Sequence, residues 1–130
     1  GLAEGEYHGT VEVATSILGV PPRSTAVTLE VVPSFDLDVW PLFTGCGGCH
    51  YSGVGGEVPD LSTMAVAYQS LVGGGGTQYV TPGNPSPSVS RIICYLEGTS
   101  CSIMPPLPGT PLSASNIQLV QRWIAGGALR

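Results

Sequence analysis

Six segments of the chain carry residue patterns that name an element. Residues 10–16 and 25–32 alternate with a period of two, placing Val11 and Val13, then Val27, Leu29 and Val31, on one face of a strand pair. Val20-Pro21-Pro22-Arg23 supplies the turn region between them. Residues 36–44 carry Leu37, Trp40 and Phe43 at helical spacing, and residues 61–72 form an apolar helix stopped by the glycines at 73–76. Ser86-Pro87 reads as an N-cap followed by proline at the first helical position, opening a third helix that runs to about Glu97 before Gly98. A last helix begins at Ser113, presents Ile117, Val120, Trp123 and Ile124 on one face, and ends at Gly126-Gly127. Trp40 and Trp123 are expected in the core.

At 130 residues the chain has the size of one domain, with 42% apolar residues to bury. Only 10% of residues are charged, no lysine is present, and the net charge of −5 excludes nucleic acid as the partner. No run approaches the roughly 18–20 apolar residues that span a bilayer. The chain opens on Gly1 without a charged-then-apolar leader, as expected of a mature product whose export signal has been removed or of a trimmed chain. Glycine and proline together number 31, a loop-rich proportion that calls for a staple.

The cysteines are the obvious staples. Cys46-Gly47-Gly48-Cys49-His50 has the C-x-x-C-H spacing of c-type haem attachment. Two thiols add across the two haem vinyl groups, and the next residue, a histidine, comes up beneath the iron. Two glycines between the thiols keep the turn free of side chains. Three other readings compete: a redox dithiol, which wants a βαβ context; a zinc site recruiting all four cysteines; and a plain Cys46–Cys49 disulfide. For a sixth iron ligand, Met104 opens the rigid Met104-Pro105-Pro106 segment, while Met64 reads as core filler and His8 as a solvated histidine. An open position is the remaining choice.

From residue 36 onward the chain resembles the class I type monohaem cytochromes c of bacteria. The residues that carry the resemblance are Asp38-Val39-Trp40-Pro41-Leu42-Phe43, Cys46 to His50, Pro82-Gly83-Asn84-Pro85 with Ser88, Met104-Pro105-Pro106, Leu112-Ser113, and Trp123-Ile124-Ala125-Gly126-Gly127-Ala128. The resemblance implies a mostly α fold: a small cytochrome c helical bundle around one covalently attached haem c. It implies Cys46 and Cys49 as thioether anchors, with His50 and Met104 as axial ligands. The N-terminal 35 residues and the second cysteine pair depart from it. The expected organisation is therefore a two-stranded β extension over 1–35, acting as a docking arm, and a haem domain over 36–130.

Cys94 and Cys101 lie across the end of the third helix, where seven positions of separation bring two Cα atoms within bonding reach. Haem attachment implies an exported, oxidising setting, periplasmic or extracellular, in which such a pair forms a disulfide; free thiols or an intermolecular bridge are the alternatives. The expected function is electron transfer to redox partner proteins, without substrate turnover. A haem-bearing structural subunit of a larger or polymeric assembly, joined through the N-terminal strands, is the second reading, and a gas sensor or zinc domain the third. Arg91 and Asn84 are candidates for the haem propionates, against ordinary surface or capping roles.

Overall fold

The computed structural model describes residues 2–73, 78–105 and 109–130. Its contacts divide the chain into two units, Gly1–Val32 and Pro33–Arg130.

The first unit is an antiparallel ribbon of β1 (Gly5–Val13) and β2 (Arg23–Val31), paired in unbroken register from Gly5↔Val31 to Val13↔Arg23. Threonine, valine and tyrosine favour the pleated backbone. Nearly every ribbon residue is exposed.

In the second unit Phe35–Val39 forms a π-helical turn, followed by α1 (Trp40–Phe43), a 3-10 turn at Cys46–Gly48, α2 (Met64–Val72), α3 (Arg91–Glu97) and α4 (Ala114–Ala125). The helices span 4, 9, 7 and 12 residues, too short to pack along one another as a bundle. The expectation of a mostly α cytochrome c helical bundle is overturned. Among the described residues of the unit, connections without regular structure outnumber the helical positions, because proline and glycine recur too often for long hydrogen-bonded ladders.

β1 begins and ends earlier than the 10–16 expected, and α2 starts at Met64, capped by Thr63, rather than at 61. Two further boundaries differ from the sequence expectation for local reasons. The helix expected over 36–44 is split: Ser34 Oγ accepts from Leu37 N, Asp38 Oδ2 accepts from Ser34 N at 2.7 Å, and Pro41 has no N–H to continue the first turn. α3 starts at Arg91 rather than at Ser86-Pro87. Ser90, fully buried, donates its hydroxyl to Asn84 O at 2.6 Å and accepts from Thr81 N at 2.9 Å, which holds its backbone outside the helical region. The glycines expected to stop α2 at 74–76 lie outside the described residues.

The core gathers Phe35, Val39, Phe43, Leu71, Val80, Ile93, Val120, Trp123 and Ile124. Phe35 sits at its centre, with ring centroids 5.3 Å from both Tyr68 and Trp123. The buried Trp123 satisfies its indole N–H on Leu129 O at 2.7 Å. α4 ends at Ala125, and past its C-cap Gly126 the chain turns at Gly127, φ +98°, with Ala128 N bonded to Trp123 O and Gly127 N to Ile124 O, a Schellman closure that turns the C-terminal residues back over the core.

Candidate functional site

Cys46, Cys49 and His50 share one tight turn. Cys49 N and His50 N both donate to Cys46 O, at 3.1 and 2.9 Å, so the backbone closes a single helical loop around the two glycines. Gly47 and Gly48 are not equivalent within it. A Cβ on Gly47 would lie 2.8 Å from Leu61 O, whereas Gly48 faces open space. Only the first glycine is demanded by packing.

The segment that follows folds back on this turn. Glu57 N donates to Cys49 O at 2.9 Å and Leu61 N to His50 O at 2.8 Å. His50 Nδ1 lies 3.1 Å from Pro59 O. A carbonyl oxygen only accepts, so Nδ1 is the donor, and in the neutral ring Nε2 is the nitrogen with the lone pair. This is the arrangement in which a ligating imidazole is oriented by a backbone carbonyl. Asp60 secures the same loop by accepting from Ser62 N and Ser52 N, both at 2.9 Å. Hydrogen bonds from Ser62, its side chain first and then its backbone, followed by those from Ser52, lower the Asp60 pKa to about 2.

Cys46 and Cys49 are free thiols. Cys46 is half-buried against the core and its pKa is raised, first by burial and then by the neighbouring Cys49; Cys49 is exposed. The Cys46–Cys49 disulfide considered from sequence is not formed. Cys94 and Cys101 are joined instead, with Cα atoms 5.5 Å apart, which removes them from any four-cysteine zinc site.

Met104 belongs to a separate loop. It follows the disulfide, is half-buried, and donates its amide to Tyr95 O at 2.9 Å, anchoring the loop to the end of α3. Pro106 of the Met104-Pro105-Pro106 segment lies outside the described residues. Met64 packs against the core as a filler. His8 sits on β1 with a side chain 72% exposed, 3.7 Å from Glu6 and 3.3 Å from Thr28 Oγ1. Arg91 donates to Tyr95 Oη at 2.8 Å, and Asn84 Oδ1 accepts from Ser86 N at 3.1 Å, so both have local structural partners.

Pro59 and Asp60 were not singled out by sequence reasoning. A carbonyl acceptor leaves no trace in residue type, because every residue has one. Asp60 had a weak signal: an aspartate two positions before a serine commonly accepts from that backbone N–H. A cleft of about 330 Å³ opens beside this loop, lined by Val58, Pro59, Asp60, Gln69, Ser70, Gly73 and Tyr79. Burial raises the Tyr79 pKa, with Tyr95 adding to the shift and Arg91 opposing it.

The chain matches no protein-family model, no curated protein and no solved structure. Among the described residues, no three or more histidine, cysteine, aspartate or glutamate side chains gather as a metal-ion site. These findings overturn the resemblance to the class I monohaem cytochromes c. Its short motifs occur in the right order without the family's overall pattern. Among the described residues no helix is long and apolar enough to cross a membrane.

Proposed function

We propose that the Cys46–His50 turn attaches one haem c covalently and that the protein transfers electrons to redox partner proteins. The observation that carries this reading is the Nδ1–H bond from His50 to Pro59 O at 3.1 Å, beside two free thiols on the same turn. The residues fit the group: Cys46 and Cys49 offer two unpaired sulfurs, and His50 has the tautomer whose Nε2 binds iron. When bound, the haem supplies a one-electron ferrous–ferric couple. The chain holds the imidazole at a fixed rotation through Pro59 O, ties the His50 backbone to Leu61 N, and keeps the Cys46 side of the turn partly dry against the core. Met104 is the sixth ligand in this reading, its loop held by Tyr95 and by the disulfide. Transfer through a closed iron needs no substrate site and no acid–base group, so the protein is not an enzyme.

The covalent haem and the disulfide agree with an exported protein, periplasmic or extracellular. A second reading, a haem-bearing subunit of a larger electron-conducting assembly, is favoured by the exposed ribbon that precedes the haem unit.

The test is a visible spectrum of the oxidised and reduced protein, followed by carbon monoxide, with intact mass measured under denaturing conditions. Haem retained on the denatured chain and reduced bands insensitive to carbon monoxide support the reading. Met104→Ala should then open the iron to carbon monoxide, while Met64→Ala should only cost packing. A colourless protein, or one coloured only by dissociable haem, would overturn the covalent assignment.

A further inference from the structure

The N-terminal ribbon separates its side chains sharply between two faces. Directly paired residues of an antiparallel ribbon project to the same side. The register therefore places Tyr7, Val11, Val13, Val27, Leu29 and Val31 together on one face. Glu6, Glu12 and Glu30 fall on the other, with His8, Thr10, Ser24 and Thr28. The apolar face is uncovered: Val13 is 67% exposed and Leu29 51%. The connection between the strands exposes two more large apolar side chains, Ile17 by 67% and Leu18 by 101%. Arg23, at the end of β2, is the only charged residue on that side of the strands.

We propose that this face packs against the same face of a second copy of the chain. Charge placement favours that occupant. The chain carries a net charge of −5, yet no strand carboxylate lies on the apolar face, so face-to-face packing directs Glu6, Glu12 and Glu30 of both copies away from each other. An acidic ribbon is also poorly suited to an anionic lipid surface.

Shape points the same way. Tyr7 and Leu29 face one another across the ribbon, flanked on the same side by Gly5 and Gly9, whose missing side chains leave open space. Val31 and Val27 stand opposite these glycines, so the β1 half of the face is notched on either side of Tyr7 while the β2 half is continuous, and the notches give room for an apolar side chain of an inverted copy.

The area is sufficient for a weak but specific dimer. A nine-residue two-stranded ribbon presents a face of about 30 by 10 Å. Two such faces present about 600 Å² in projection, and the relief of their exposed side chains brings the accessible surface removed towards the roughly 1,000 Å² of the smallest specific interfaces. A lone two-stranded ribbon is marginal in water, and pairing faces gives it the second layer that a β structure needs. The inference does not depend on haem, and its test reads mass rather than colour.

Sedimentation equilibrium of the full-length protein from roughly 1 μM to 1 mM, a range that brackets weak association, decides it. The wild-type chain should pass from monomer to dimer. Leu29→Glu should weaken the dimer at least about tenfold, as for loss of a central interface residue, while Ala26→Glu, on the acidic face, should leave it intact. Amide exchange across β1 and β2 reports whether the variant ribbon still forms. Where Leu29→Glu melts it, Val13→Glu at the end of the same face replaces that variant. A wild-type chain that stays monomeric to 1 mM overturns the proposal. So does equal weakening by Ala26→Glu, or a dimer that survives both apolar-face variants, since either outcome means pairing through strand edges or another surface.

Discussion

The Cα of Gly47 faces the carbonyl oxygen of Leu61 so closely that a Cβ there would stand 2.8 Å from it, with Ser62 Cα at 3.2 Å. Neither neighbour is free to withdraw. Leu61 is buried and its own N–H is bonded to His50 O. Gly47→Ala should therefore push the 61–62 backbone away from the turn and destabilise the protein by about 1–3 kcal/mol, as overpacking does. Gly48→Ala meets nothing and should cost less than about 1 kcal/mol. Urea denaturation of the two variants measures the difference, and equal losses would mean that packing against Leu61 does not set the requirement.

The two thiols of the turn should differ in reactivity in protein made without haem. Cys49 is exposed, whereas Cys46 is half-buried with a pKa raised above its ordinary value of 9.0. The thiolate is the nucleophile, so burial slows Cys46 twice, through access and through ionisation. Iodoacetamide at pH 8 should modify Cys49 first. Modification of Cys46 should accelerate only above pH 9, and peptide mapping across a pH series reads the order.

Asp60 gives the loop beneath His50 a pH dependence. Its folded pKa is about 2, against 3.8 in the free residue, so the folded state binds the proton less readily than the unfolded chain. The associated stability is fully present above about pH 4 and is lost as pH falls towards 2. Asp60→Asn removes that dependence. The wild-type melting temperature should fall more steeply than the variant's over this window, and parallel curves would show that the bonds from Ser62 and Ser52 do not depend on charge.

The Met104 loop is held by a covalent link and by a backbone turn. Replacing Cys94 and Cys101 together with serine should cost about 2–3 kcal/mol, the chain-entropy figure for so short a loop. Gly98 closes α3 at φ +66°, and a Cβ there would meet Ile103 Cβ at 2.8 Å. Gly98→Ala should cost about 1–3 kcal/mol with the disulfide intact, because both conformation and contact oppose it. Calorimetry of each variant measures these losses.

Several elements were legible in the residues because their information is local. The alternation around Val11, Val13, Val27 and Leu29 marks strands, and Val120, Trp123 and Ile124 mark the buried stripe of α4 with Ser113 as its cap. The spacing of Cys46, Cys49 and His50 was equally plain, since three residues of one turn need no distant part of the chain to meet. Where helices begin was less so. Pro41 and the hydrogen bonds of Ser90 moved two starts, the second through partners at Thr81 and Asn84 that only the folded loop brings near. The bundle expectation failed for a related reason: short motifs in a familiar order describe turns, not how helices pack. The orientation of His50 rests on a backbone carbonyl, a group every residue carries, so only the tertiary path of residues 51–61 selects Pro59 for it. Residue types decide which groups are available to a site; the return of the chain through space decides which of them meet.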